Sequence, residues 1–138
     1  MVERSQYWGV PEWTEAHNSG GVTAPATRWG LADGLVGGFD GAQTYILLAN
    51  TGSQPATVTL SFLLVDGPPL VKTFTVPPTS RFNVGVSGPG SAVPELADAS
   101  FGVRIDSTQP IVVERSVYWN ADGVVWAAGT NATATRLP

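Results

Sequence analysis

The sequence predicts an all-β protein, an antiparallel β-sandwich of about seven to eight strands, and three observations carry that expectation. No window of a dozen residues combines helical apolar spacing with freedom from Gly, Pro and β-branched runs. Apolar and polar residues alternate instead with period two, the pattern of a strand with one face against a core and the other against water. Turn formers interrupt these stretches at the spacing of roughly 8 to 12 residues expected of a sandwich. Composition agrees: there are 16 Gly and 11 Pro, and the charged share, 13%, is about half the usual value.

Residues 27–32 make the first core strand. Residues 43–49 make the next, closed by Asn50 and Gly52, which tolerate turn conformations that other residues resist. Residues 56–65 place Val58, Leu60 and Phe62 on one face and Thr57, Thr59 and Ser61 on the other. Asp66, Gly67, Pro68 and Pro69 then predict a tight reversal into a strand over 70–76, which Pro77 and Pro78 stop. Residues 81–86 alternate again, with Phe82, Val84 and Val86 together, and a loop over 87–91 follows. A short strand over 100–106 is expected to turn through Ser107, Thr108, Gln109 and Pro110 into a long strand over 111–119.

The chain repeats part of itself. Val2, Glu3, Arg4, Ser5, Gln6, Tyr7 and Trp8 return as Val113, Glu114, Arg115, Ser116, Val117, Tyr118 and Trp119, and the block ending Ala26, Thr27, Arg28, Trp29 is echoed by Ala134, Thr135, Arg136, Leu137. Self-similarity of this kind marks an array of modules. Residues 1–25 therefore read as the end of a preceding copy, an extra strand and loop, and residues 26–138 as a sandwich module. Both copies of the Glu-Arg strand compete for one place in a sandwich, so the surplus one is expected on an edge, exchanged into an identical subunit, or bridging modules.

Several chemistries find no support. Without cysteine there are no disulfides, thiolate nucleophiles or usual zinc sites, and the single histidine, His17, leaves little for another metal. No cofactor is expected. A net charge of −4 without a basic cluster argues against nucleic acid and anionic membranes, and the longest apolar run is far too short to span a bilayer. Residues 1–25 lack a basic start followed by an apolar stretch, so no signal peptide is expected and the chain reads as a fragment. Glu15, His17 and Ser19 on a flexible loop do not make triad geometry, and the second copy carries Thr130 in the position of His17. No catalytic residue is expected.

The better leads are aromatic and basic. Trp8, Trp13, Trp29, Trp119 and Trp126 all fall in or beside the repeated blocks, where they either stack on sugar rings or cover the joint between modules. Arg115 shares the apolar face of its strand with Val113, Val117 and Trp119, so its guanidinium needs a partner, an aromatic ring or a carboxylate. Trp13, His17, Trp29, Arg115, Trp119 and Trp126 are the candidate binding residues.

On these residues, and on Trp29 to Gly34, Gly37 to Asp40, Tyr45 to Asn50 and Val76 to Arg81, the chain resembles the tandem β-sandwich repeats of large secreted and cell-surface bacterial proteins. The resemblance implies a sandwich that is Ig-like or transducer-like, the second because the fold is also similar, more weakly, to the transducer of a microbial sensory rhodopsin. The resemblance implies architecture and an extracellular or cell-surface location, and no activity. The function expected is a non-enzymatic structural or adhesive module, assembling with neighbouring modules or identical subunits, in part by strand exchange. The alternative is a carbohydrate-binding module that uses exposed tryptophans on cell-wall polysaccharide.

Overall fold

The computed structural model describes residues 2–9, 11–87 and 90–138, so Gly88 and Pro89 of the expected 87–91 loop lie outside the described residues. Ten strands and no helix make up the described chain: β1 (Glu3–Trp8), β2 (Glu15–Gly20), β3 (Ala26–Val36), β4 (Gln43–Asn50), β5 (Ala56–Leu64), β6 (Leu70–Val76), β7 (Ser80–Gly85), β8 (Ala99–Ala121), β9 (Val124–Thr133) and β10 (Thr135–Arg136). Eight of them, β3 to β10, form the sandwich, and every pairing is antiparallel. One layer runs β10-β3-β8-β5-β6 and the other β9-β8-β4-β7.

Strand β8 belongs to both layers. Its first half pairs with β5 as far as Ser107 opposite Val58 and with β3 as far as Ile111 opposite Ala26, and its second half pairs with β4 from Val112 opposite Ala49. The turn expected at 107–110 is therefore a corner. Ser107 Oγ donates to the Gln109 carbonyl at 2.7 Å, a local bond that bends the chain. Pro110 withholds an N–H where the strand passes between layers. Alternation keeps its phase through the corner, with Phe101, Val103 and Ile105 buried before it and Ile111 and Val113 after it. Trp29 seals the corner, donating its indole N–H to the carbonyls of Ala26 (3.0 Å) and Ile111 (3.1 Å).

The core is where the alternation placed it. Val58, Leu60 and Phe62 of β5 meet Ile46 and Leu48 of β4 and Val84 of β7 in one buried cluster. Asn50 and Thr44 are buried with their polar atoms bonded. Thr44 Oγ1 donates to the Leu35 carbonyl and accepts its N–H, which pins the end of β3 to β4.

Two elements differ from expectation. Residues 16–20, read as loop, are strand β2, which pairs with β1 from Glu3 opposite Gly20 to Trp8 opposite Glu15. Residues 124–133 are strand β9, joined to β8 by Asp122 and Gly123, both with positive φ (50° and 78°), the two-residue turn that such a pair favours. Strand β2 has no β-branched residue, and Ala127, Ala128, Gly129 and Asn131 interrupt the alternation of β9, so both gain their order from the partner they pair with.

The two hairpins are copies. Gln6 pairs with His17 in one and Val117 with Thr130 in the other; Ser5 pairs with Asn18 and Ser116 with Asn131. The duplicated sequence thus folds as a duplicated hairpin in the same register.

Candidate functional site

Hairpin β1–β2 joins neither sandwich sheet among the described residues, and it lies face-down on the outer face of β8–β9. The face of β8 opposite Arg115 carries Glu114, Ser116 and Tyr118, and the hairpin covers it. Arg4 reaches Glu114 at 3.3 Å, Gln6 donates to the Tyr118 hydroxyl at 3.1 Å, Trp8 donates to the Trp126 carbonyl at 2.8 Å, and Thr133 donates to the Gly20 carbonyl at 3.0 Å. Aromatic rings fill the centre of the joint. Tyr118 stacks on Trp126 with centroids 5.2 Å apart, meets Trp8 edge-on at 5.5 Å and Tyr45 at 6.2 Å. Such pairs add about 0.5–1.5 kcal/mol each beyond their burial.

Local backbone places these rings. Val125, Trp126 and Ala127 together oppose the single residue Asn120, a bulge in which Trp126 has a φ of 55° and donates its N–H to Asn120 Oδ1 at 3.0 Å. A bulge of this kind re-aims a side chain, here the indole toward Tyr118. Gly129 leaves room for the stack: a Cβ there would stand 2.6 Å from the Tyr118 ring and 3.1 Å from that of Trp8. Trp8, Thr14, Glu15, Asp122 and Trp126 border an open cleft of about 800 Å³ beside the joint.

The candidate residues scatter. His17 and Trp126 sit in the joint. Trp13 is 78% exposed on the connection between β1 and β2, beside Tyr7. Trp29 is 2% exposed in the core, so it offers no stacking surface; its place as a ligand platform is corrected by the burial that the corner of β8 imposes. Arg115 is 3% exposed, and its Nη1 meets the carbonyl of Asp33 at 3.2 Å and the Asp33 carboxylate. Asp33 reaches it because β3 bulges between Leu31 and Gly34. Trp119 is half-buried on the same face. Sequence reasoning missed Tyr118, Gln6 and Glu114, although their shared face with Ser116 was a signal, and it missed Asp33, which no local pattern marks.

The surroundings of His17 disfavour its charged form. Neither imidazole nitrogen has a hydrogen-bond partner among the described residues, and the ring lies 5.2 Å from that of Trp8. Burial pushes its pKa below 6.5, the Arg4 charge adds to that, and Glu114 opposes it. A histidine depressed in the docked state binds its proton more readily when undocked, so docking is at full strength above pH 6.5 and weakens as pH falls through the lower docked value. The protection of β1 and β2 amides from exchange, referred to each amide's intrinsic rate at that pH, is expected to fall between pH 7.5 and pH 5 in the native chain and to stay level in His17→Gln. Equal acid sensitivity in both proteins would overturn that role for His17.

These features define an antiparallel β-sandwich bearing an additional, face-docked hairpin. No protein-family model matches the sequence. No curated protein matches it either. Several solved structures share the fold. The crystal structure of Thermotoga maritima 1070 superposes with a TM-score of 0.68 at 16% identity, over 82% of this chain and 96% of that one. The Anabaena sensory rhodopsin transducer superposes with a TM-score of 0.55 at 24% identity, over 67% of this chain and 97% of that one. At these identities the likeness is one of fold.

Proposed function

We propose that this chain is a non-enzymatic structural or adhesive unit of a tandem array on a bacterial surface, and that hairpin β1–β2 is the joint between successive units. The observation that carries the reading is the matched register of the two hairpins that bear the duplicated sequence, together with their face-to-face docking. The Thermotoga structure is covered over 96% of its length by 82% of this chain, so a sandwich of this kind does not require the whole chain. The partners of such a unit are its neighbours in the array or identical subunits. The outer edge of β1 has no strand paired to it among the described residues, which is the edge that strand exchange would use.

Deleting residues 1–25 is expected to leave the sandwich folded, to lower its stability by about 1–3 kcal/mol through lost aromatic pairs and hydrogen bonds, and to red-shift the tryptophan emission as Trp126 becomes wetter. Unchanged stability and emission would sink the joint. Light scattering of the full chain over a range of concentration tests exchange between subunits, which predicts dimers that the deletion abolishes.

A second reading, carbohydrate binding, is favoured by the exposed rings of Trp13 and Trp126. A glycan array with tryptophan-fluorescence titration tests it, and silence toward wall polysaccharides would exclude it.

A further inference from the structure

Arg115 lines an open groove, and its buried Nε has no hydrogen-bond partner among the described residues. The groove, of about 330 Å³, has Arg115, Val117 and Trp119 of β8 on one side and Asp33, Phe39 and Asp40 on the other. Its far wall is held in place. Gly37 and Ala42 exchange backbone hydrogen bonds of 2.9 and 2.8 Å, Gly38 donates to the Asp98 carboxylate at 2.7 Å, and the Asp40 carbonyl accepts the Asn120 N–H at 2.8 Å. At the tip of this turn Phe39 is fully exposed.

Asp33 satisfies Nη1 of Arg115, and Nε has no partner among the described residues. A buried donor left unmade costs about 1–3 kcal/mol, more when charged, so such groups call for an unplaced partner. The required partner must accept a hydrogen bond. That excludes an ammonium ion, which only donates. An anion would accept, but Asp33 already neutralises Arg115 and Asp40 adds a further negative charge to the groove. A hydroxyl meets both demands, since its oxygen accepts from Arg115 and its proton suits a carboxylate. The remaining lining, Val117, Leu35 and the rings of Trp119 and Phe39, suits the apolar face of a sugar ring.

We infer that this groove binds a neutral sugar residue, with one hydroxyl accepting from Arg115 Nε, another donating to Asp40, and the ring face against Trp119 and Phe39. The inference rests on the carbohydrate-binding reading for its ligand class and moves the site away from Trp13 and Trp126. The first copy of the hairpin holds the matching residues Arg4, Gln6 and Trp8 against protein, so only the second copy presents this face to a small ligand.

The test is titration of the ¹⁵N-labelled full chain with a panel of neutral hexoses, N-acetylhexosamines and their β-linked disaccharides. The Nε–Hε signal of Arg115 and the indole signal of Trp119, identified by Arg115→Lys and Trp119→Phe, are expected to shift saturably with at least one sugar. Asp40→Asn, a change on an exposed turn held through its backbone, is expected to weaken that sugar about tenfold, the loss of one charge-assisted hydrogen bond. Shifts confined to Trp13 or Trp126 would overturn this site and leave carbohydrate binding standing. Signals that move with protein concentration and not with sugar would overturn it in favour of a neighbouring copy in the groove, and no saturable shift with any sugar would overturn both the site and the wider reading.

Discussion

Trp29→Ala is expected to destabilise the protein by about 3–5 kcal/mol, the range for emptying a buried aromatic site. Two separate losses combine there. The side chain is the largest in the core and is 2% exposed, so its removal opens a cavity at the place where β8 passes between layers. Its indole N–H also satisfies the carbonyls of Ala26 and Ile111, which would lose that donor. Trp29→Phe separates the terms, because it keeps most of the ring volume and removes only the donor, for an expected cost of about 1–3 kcal/mol. Urea denaturation of the three proteins measures both. If phenylalanine is as costly as alanine, the donor rather than the volume holds the corner, and if alanine costs under about 1 kcal/mol the corner does not depend on Trp29 at all.

Asn50→Asp is expected to cost about 2–3 kcal/mol although it changes almost no volume. Asn50 is buried at the end of β4, where its Nδ2 donates to the carbonyls of Gln54, Val76 and Pro77 at 2.8, 3.2 and 3.1 Å, and its Oδ1 accepts the Gly52 N–H at 3.0 Å. One amide thereby closes the β4–β5 turn and ties it to the end of β6. A carboxylate keeps the bond from Gly52 but turns an oxygen toward three carbonyls, an arrangement of acceptors without a donor. Acid should partly rescue the variant by restoring a proton there, so its deficit is expected to shrink as pH is lowered toward 4. A deficit that does not change with pH would show that the loss is steric. Asn50→Leu, which removes both functions, should be at least as unstable as the aspartate at pH 7.

Much of the core was legible from the sequence because each strand alternates locally. Val58, Leu60 and Phe62 share a face by backbone pleat alone, and so do Phe82, Val84 and Val86. The hairpin at Asp66 and Gly67 was legible for a similar reason, its turn residues lying between two alternating runs. By contrast, β2 has no β-branched residue and the run of β9 is broken by Ala127, Ala128, Gly129 and Asn131, so both hold as strands against β1 and β8. The Asp122-Gly123 pair was an available signal for the second of these. Ser107 to Pro110 looks like a reversal in one dimension, since its residues favour turns whether the chain reverses or changes layer.

Of the candidate site, the sequence marked the residues better than their roles. Arg115 stood out by its phase on the apolar face, but its partner Asp33 lies 82 residues earlier and reaches it through a bulge in β3. Trp29 and Trp126 are the same residue type beside repeated blocks, and one is core while the other is stacked in the joint. Exposure of an aromatic ring is a property of what covers it, which composition does not record.

By itself the sequence determined the fold class, the faces of most sandwich strands and the duplication of the Glu-Arg strand, all of which follow from the two-residue period of extended backbone and from comparison of the chain with itself. Only the tertiary structure decided that β8 serves both layers, that the first hairpin docks by its face, and that Arg115 keeps a buried donor without a partner among the described residues. Those outcomes depend on which surfaces meet, and apolar burial, being non-directional, rewards many pairings that one-dimensional pattern cannot rank. Backbone hydrogen bonding, the Asp33 carboxylate and the aromatic stack select among them, and each acts between residues far apart in the chain.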